Sequence, residues 1–168
     1  MTATKPGITP FLWFDGDVEE AAKFYVSVFK DARIESVHRP APGKPAQSGT
    51  VTLRGLKLHL FNGGPHTKLT PAFSLMVDCE TQQEVDELWA KLSAGGAESR
   101  CGWLQDRYGL SWQIIPKILV ELLRAKNADK ASAAMQAMLK MGKLDIAGLQ
   151  RAYDQAWRTR SGSLHTCI

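Results

Sequence analysis

The chain repeats one pattern of elements twice, and that duplication limits the fold more than any other feature of its 168 residues. An apolar, aromatic run at 8–14 (ITPFLWF) has the makeup of a strand covered on both faces. Asp17-Val18-Glu19-Glu20 then has the form of a capping box, in which the Asp oxygen takes an orphan N–H and Glu20 reaches back. Val18, Ala21, Ala22, Tyr25, Val28 and Phe29 follow at the spacing of one helix face. Strands are expected at 32–38, 48–54 and 56–61, with a Pro/Gly-rich segment at 40–45 and a tight turn at Gly55. After Asn62-Gly63-Gly64-Pro65 the order restarts. Thr70-Pro71 repeats Thr9-Pro10, a strand is expected at 72–77, and Asp78 matches Asp15. Thr81-Gln82-Gln83-Glu84 is a second capping box, and Val85, Leu88, Trp89 and Leu92 form a second helix face stopped by Gly95-Gly96. Strands at 98–101, 103–105 and 110–115 complete the copy, offset by close to 63 residues in the strand and 64 in the helix.

The pattern predicts an α+β chain: a tandem βαβββ domain at 8–116, with modules at about 8–62 and 70–116, and a helical extension at 117–157. In the extension a short helix is expected at 118–124, a longer one at 129–141 broken by Gly142, and a third from Asp145 to about residue 157. Ala131, Ala134, Met135, Met138 and Leu139 share one face, and Ile146, Leu149, Ala152, Tyr153 and Trp157 another; both read as core packing. Residues 158–168 read as a disordered tail.

Charge and cysteine content narrow the class. Residues 1–116 carry 12 Lys+Arg against 13 Asp+Glu, and 117–168 carry 9 against 4. The basic excess lies on polar helix faces without a basic run, so no nucleic-acid partner is expected. No apolar run approaches the ~18 residues of a membrane span, and the N-terminus carries no apolar signal segment. Cys79, Cys101 and Cys167 form no CxxC pair and read as reduced thiols, which points to a cytoplasmic protein.

The segments ITPFLWFDGDVEEAAKFY, LFNGGP, EVDELWAKLSAGG, RCGWLQDRYGLSWQIIP and MQAMLKMGKLDIAGLQRAY resemble the PhnB-like branch of the vicinal oxygen chelate superfamily. That superfamily includes glyoxalase I, extradiol dioxygenases and bleomycin-resistance proteins. The branch often carries the label 3-demethylubiquinone-9 3-methyltransferase, although nothing here resembles a glycine-rich cofactor loop after a strand. The resemblance implies two open-barrel clefts and, in the metal-dependent relatives, ligands from the first and fourth strands of each half. Those positions fall at Thr9, at or beside Leu58, at Ala72 and at Gln113; a slip of one residue in the fourth strand brings His59 inward. Thr, Leu, Ala and Gln do not form a divalent-cation site, and His38, His66 and His165 are scattered elsewhere, so no metal and no cofactor is expected.

Alternation along the strands gives a candidate ligand-binding surface: Phe11 and Trp13, Leu58 and Leu60, Ala72, Ser74 and Met76, and Ser111, Gln113 and Ile115. Ser74 has no base placed by a motif to activate it. Asp106-Arg107-Tyr108-Gly109 reads as a structural turn, Cys101 as an inert thiol, and Asn62-Gly63-Gly64 as a connection rather than an anion nest. The expectation is a small-molecule binding protein that forms a homodimer. The alternative is a metalloenzyme of the superfamily, an isomerase, lyase or dioxygenase; the methyltransferase of the label is a third reading.

Overall fold

In a computed structural model, which describes residues 7–16 and 18–156 together with the backbone of 157–161, the duplication is realised as two units that divide between Thr70 and Pro71. The first unit contains β1 (Phe11–Phe14), α1 (Val18–Val28), β2 (Ala32–His38), β3 (Ser48–Leu53) and β4 (Leu56–Asn62). Its sheet has the order β1-β4-β3-β2, with β1 parallel to β4 and the other pairs antiparallel. The second unit contains β5 (Ser74–Cys79), α2 (Gln82–Ser93), β6 (Ala97–Glu98), β7 (Trp103–Gln105) and β8 (Ser111–Pro116). Its sheet repeats the scheme as β5-β8-β7-β6, with β5 parallel to β8. Neither sheet closes on itself.

Each helix covers one face of its own sheet. Val18, Ala21, Ala22, Tyr25 and Val28 of α1 are buried, as are Leu12, Phe14, Val51, Leu53, Leu58 and Leu60 on the strands beneath. The equivalent set in the second unit is Val85, Leu88, Trp89 and Leu92 over Val77, Cys79, Leu104, Trp112 and Ile114. The expectation that β1 is covered on both faces is corrected here: Phe11 is 56% exposed, and only its alternate neighbours are buried. The aromatic run is continuous because the open face is aromatic too, a pattern that period-two reading takes for burial.

Local chemistry accounts for the turns. Arg54 (φ 46°) and Gly55 (φ 85°) form the two-residue, left-handed link of the β3–β4 hairpin. At α2 the Thr81 side chain accepts from Glu84 N (3.2 Å), while Glu84 Oε2 accepts from Glu80 N (2.8 Å), so the box closes one residue upstream of the expected position. Asp17, the expected cap of α1, lies outside the described residues. Strand β5 starts two residues later than expected and β6 ends at Glu98. Cys101 (φ 58°) and Gly102 (φ 81°) turn the chain out of strand geometry before β7.

The extension forms α3 (Lys117–Leu123), α4 (Ala128–Met138) and α5 (Ile146–Ser161), packed as part of the second unit. Its core joins Ile115, Leu119, Leu122, Ala134, Leu144 and Leu149. Asn127 caps α4 by accepting from Lys130 N (3.1 Å). Two members of the expected α4 face, Met135 and Leu139, are exposed, because the stripe is wider than the surface that α3 and α5 cover. Helix α5 runs to Ser161, past the expected end, and the tail expectation for 162–168 lies outside the described residues. Among the described residues no helix is long and apolar enough to cross a membrane.

Candidate functional site

The open face of each sheet is where side chains remain available. In the first unit the parallel register pairs Phe11 with His59 and Trp13 with Phe61, so all four stand on one side. The Phe11 and His59 rings lie 5.1 Å apart, Phe11 and Phe61 5.6 Å, and Trp13 meets Phe61 edge-on at 5.3 Å. Trp13 is held from below. Its Nε1–H donates to Gly64 O (2.8 Å), and a Cβ at Gly63 would come within 2.0 Å of the indole, so this position must be glycine. The Asn62-Gly63-Gly64 amides are committed within the fold: Gly63 N donates to Phe14 O (3.1 Å) and Gly64 N to Asn62 Oδ1 (3.3 Å).

The same face grades into polar groups. Thr50 Oγ1 lies 3.2 Å from His59 Nδ1, and Thr52 Oγ1 donates to Glu35 Oε1 (2.8 Å). That hydroxyl, with Arg33 beside it, holds Glu35 below the usual carboxylate range against the opposing effect of desolvation. Leu58 and Leu60 belong to the other side, and this corrects the expectation that they line the surface with Phe11 and Trp13. Leu60 pairs with Leu12 and is 0% exposed under α1, as is Leu58. A phase error of one residue in a strand moves its whole side-chain set across the sheet.

In the second unit Ser74, Met76, Ser111 and Gln113 share the open face as expected, since the register pairs Ser74 with Ser111 and Met76 with Gln113. Gln113 Nε2 lies 2.9 Å from Ser74 Oγ, and Met76 is 59% exposed. Two residues that the sequence reading passed over join them. Trp103 lies opposite Gln113, and Gln105 opposite Ser111. Strand β7 is three residues long, too short for alternation to be read, and that hid both. An open groove of about 530 Å3 runs here, lined by Pro71, Ala97, Trp103, Gln105 and Ser111 among others. Ile115 shares this parity yet is buried in the core with the extension.

The turn before β8 is structural. Asp106, 2% exposed, accepts from Tyr108 N (2.8 Å) and Leu110 N (3.1 Å) on Oδ1 and from Trp112 Nε1 (2.8 Å) on Oδ2. Gly109 follows at φ 87°. Cys101 and Gly102 donate their amides to Met141 O and Gly142 O, both at 2.8 Å, which docks the extension against this segment. The CGWLQDRYGLSWQ motif is thus mainly a bracket for β7, β8 and the extension.

The positions where metal-dependent relatives place ligands do not fit a metal. Thr9 and Ala72 are exposed residues ahead of β1 and β5, Leu58 faces the core, and Gln113 is bound to Ser74. On the open face the fourth strand instead presents His59. Among the described residues no group of three or more His, Cys, Asp or Glu side chains is placed to hold a metal ion.

Comparison with known proteins agrees with this architecture. Residues 6–115 match the family model described as 3-demethylubiquinone-9 3-methyltransferase. A PhnB protein from Bacillus cereus is 37% identical, with a TM-score of 0.60 over 66% of this chain and 99% of its own. Protein PA1353 from Pseudomonas aeruginosa (19% identical, TM-score 0.57, 67% and 98% covered) shares the fold. So does the fosfomycin resistance protein FosX from Listeria monocytogenes (15% identical, TM-score 0.55, 72% and 98% covered). No curated protein matches the sequence. The chain belongs to the 3-demethylubiquinone-9 3-methyltransferase family, as a PhnB-like member of the glyoxalase and vicinal oxygen chelate superfamily.

Proposed function

We propose that this protein binds small apolar or aromatic compounds on its open sheet faces without using a metal ion. The observation that carries the reading is the chemistry of those faces. They present Phe11, Trp13 and Phe61 in one unit and Met76 and Trp103 in the other, beside a few hydrogen-bonding groups. Aromatic surface with sparse polar anchors is the usual makeup of a small-molecule site. A divalent cation needs three or four imidazole, thiolate or carboxylate donors, and Thr9, Leu58, Ala72 and Gln113 supply none. Pairing of two copies of the chain belongs to the same reading, with size-exclusion chromatography and light scattering as its check.

One observation favours a second reading. His59 stands on the open face, so a metal-assisted isomerase, lyase or dioxygenase retains a single candidate ligand. The methyltransferase activity in the family description lacks support from the loop after β1, which carries the lone Gly16 where a nucleotide fold has a glycine-rich turn.

The test combines metal analysis of the purified protein with titrations of naphthalene and S-adenosylmethionine. We expect substoichiometric Fe, Mn, Ni and Zn, and naphthalene binding that Trp13→Ala weakens several-fold. A stoichiometric metal that disappears in His59→Ala or Gln113→Ala overturns the proposal in favour of a metalloenzyme. Micromolar binding of S-adenosylmethionine overturns it in favour of the transferase.

A further inference from the structure

The groove on β7 and β8 has a polar character that its mainly apolar outline conceals. Ser111 is 2% exposed, yet it is one of the residues that line the groove. Among the described residues its Oγ has no hydrogen-bond partner, and among them no fully buried side-chain polar atom is left unpaired. The hydroxyl therefore keeps some accessible surface at a residue that lines the groove. A nearly enclosed hydroxyl without an internal partner is free to bond to water or a ligand.

Gln105, opposite Ser111 in the register, completes the arrangement. Its amide nitrogen donates to Gly109 O at 2.9 Å. A carbonyl can only accept, so the orientation of this amide is fixed without appeal to any flip convention. The fold thus consumes the donor end of Gln105 and leaves Oε1 without a partner among the described residues, on a residue that lines the groove. Trp103, on the same open face, adds an aromatic surface. The one carboxylate at the edge, Glu98, is turned to the helix side, where it accepts from Trp89 Nε1 at 2.7 Å. Among the residues that line the groove Glu98 is the single charged one and none is cationic, so the groove is aromatic and rich in acceptors.

We infer that this groove selects neutral planar molecules carrying an O–H or N–H donor, such as phenols and aryl amides. The ring lies against Trp103, and the donor reaches Gln105 Oε1 and Ser111 Oγ. Aryl carboxylates are disfavoured, because a carboxylate would face the Gln105 amide oxygen and the Glu98 edge with only the Ser111 O–H to meet it and no cationic side chain among the described lining residues. The inference rests on the small-molecule reading above and gives it a chemical class.

Three naphthalene derivatives differ only in the group being read: 2-naphthol, 2-methoxynaphthalene and 2-naphthoate. Each is titrated into the full chain at neutral pH, with Kd taken from ligand-detected NMR. A single hydrogen bond to an otherwise unpaired acceptor predicts roughly tenfold tighter binding of the naphthol than of the methoxy compound, with the naphthoate weakest. Gln105→Met and Ser111→Ala are expected to bring the naphthol-to-methoxy ratio down several-fold each. Trp103→Leu is expected to weaken naphthol and methoxynaphthalene alike. A naphthoate that binds as well as the naphthol, or a ratio unchanged in both Gln105→Met and Ser111→Ala, overturns the donor selectivity. If all three bind equally and Trp103→Leu weakens them, the selectivity fails while the small-molecule reading stands. If none binds the wild-type chain at millimolar concentration, both fall.

Discussion

The buried carboxylate of Asp106 offers a demanding test of how the second unit is held. It sits at 2% exposure and accepts hydrogen bonds from the Tyr108 and Leu110 backbone amides on Oδ1 and from the Trp112 indole on Oδ2. In Asp106→Asn the shape is kept. Oδ1 can still serve Tyr108 N and Leu110 N, but an NH2 group now meets Trp112 Nε1–H at a site built for 2.8 Å. Losing the charge-assisted bond and setting an NH2 donor against the indole N–H in a buried site together cost about 2–4 kcal/mol. Trp112→Phe removes the opposing donor and by itself costs about 1–3 kcal/mol, from the lost bond and the smaller ring. In the double variant the donor-to-donor conflict is absent, so the two costs should fall short of their sum by at least ~1 kcal/mol. Urea unfolding of the full chain, followed by far-ultraviolet circular dichroism, measures all four corners of the cycle. An Asp106→Asn cost below about 1 kcal/mol, or additivity within ~0.5 kcal/mol, would refute the claim that this carboxylate ties the turn to β8.

Three further outcomes follow from other contacts. Gly63→Ala places a Cβ 2.0 Å from the Trp13 indole, so it should destabilise the first unit by about 1–3 kcal/mol and change Trp13 fluorescence. An unaltered spectrum and midpoint would mean that the indole does not rest on this backbone. Gln82 bridges α2 to the extension, donating to Leu144 O (3.1 Å) and accepting from Ile146 N (2.8 Å); Gln82→Ala should cost about 1–2 kcal/mol and speed amide exchange at Ile146. Lys143, and then Gln82, hold the Asp86 carboxyl below its ordinary value. A depressed carboxylate pKa adds stability that is present above the unfolded value near 3.9 and is lost as pH falls through the lower folded value. Lys143→Met should therefore flatten the pH dependence of unfolding on the acid side while leaving its shape above pH 6 unchanged, and an identical acid limb in both proteins would count against the pair.

Much of this architecture was legible in the residues because it rests on local rules. The two helix faces are set by 3.6-residue spacing, and the residues named at Val18, Tyr25, Val85 and Leu92 are the buried ones. Gly55 and Gly109 take positive φ where turn chemistry requires it. The open-face set of the second unit also followed from alternation, because β5 and β8 are each six residues long and pair without a break. The errors arose where local pattern carries no phase. Leucines alternate with Lys57, His59 and Phe61 along β4, and only the pairing of Phe11 with His59 decides which set faces α1. Trp103 and Gln105 lay in a strand too short to show a period.

The sequence by itself determined that there are two βαβββ units, that helices would cover one face of each sheet, and that Thr9, Ala72 and Gln113 are poor metal ligands. Those are properties of residue type, spacing and order along the chain. Tertiary structure alone decided that Leu58 and Leu60 belong to the core and His59 to the open face. It alone fixed Trp13 on the backbone of Gly63, and it alone tied the Gln105 amide nitrogen to Gly109 O beside a groove that Ser111 also lines. The physical reason is that hydrogen-bonded register and close packing join residues far apart in sequence, and no local periodicity encodes which partner a strand will meet.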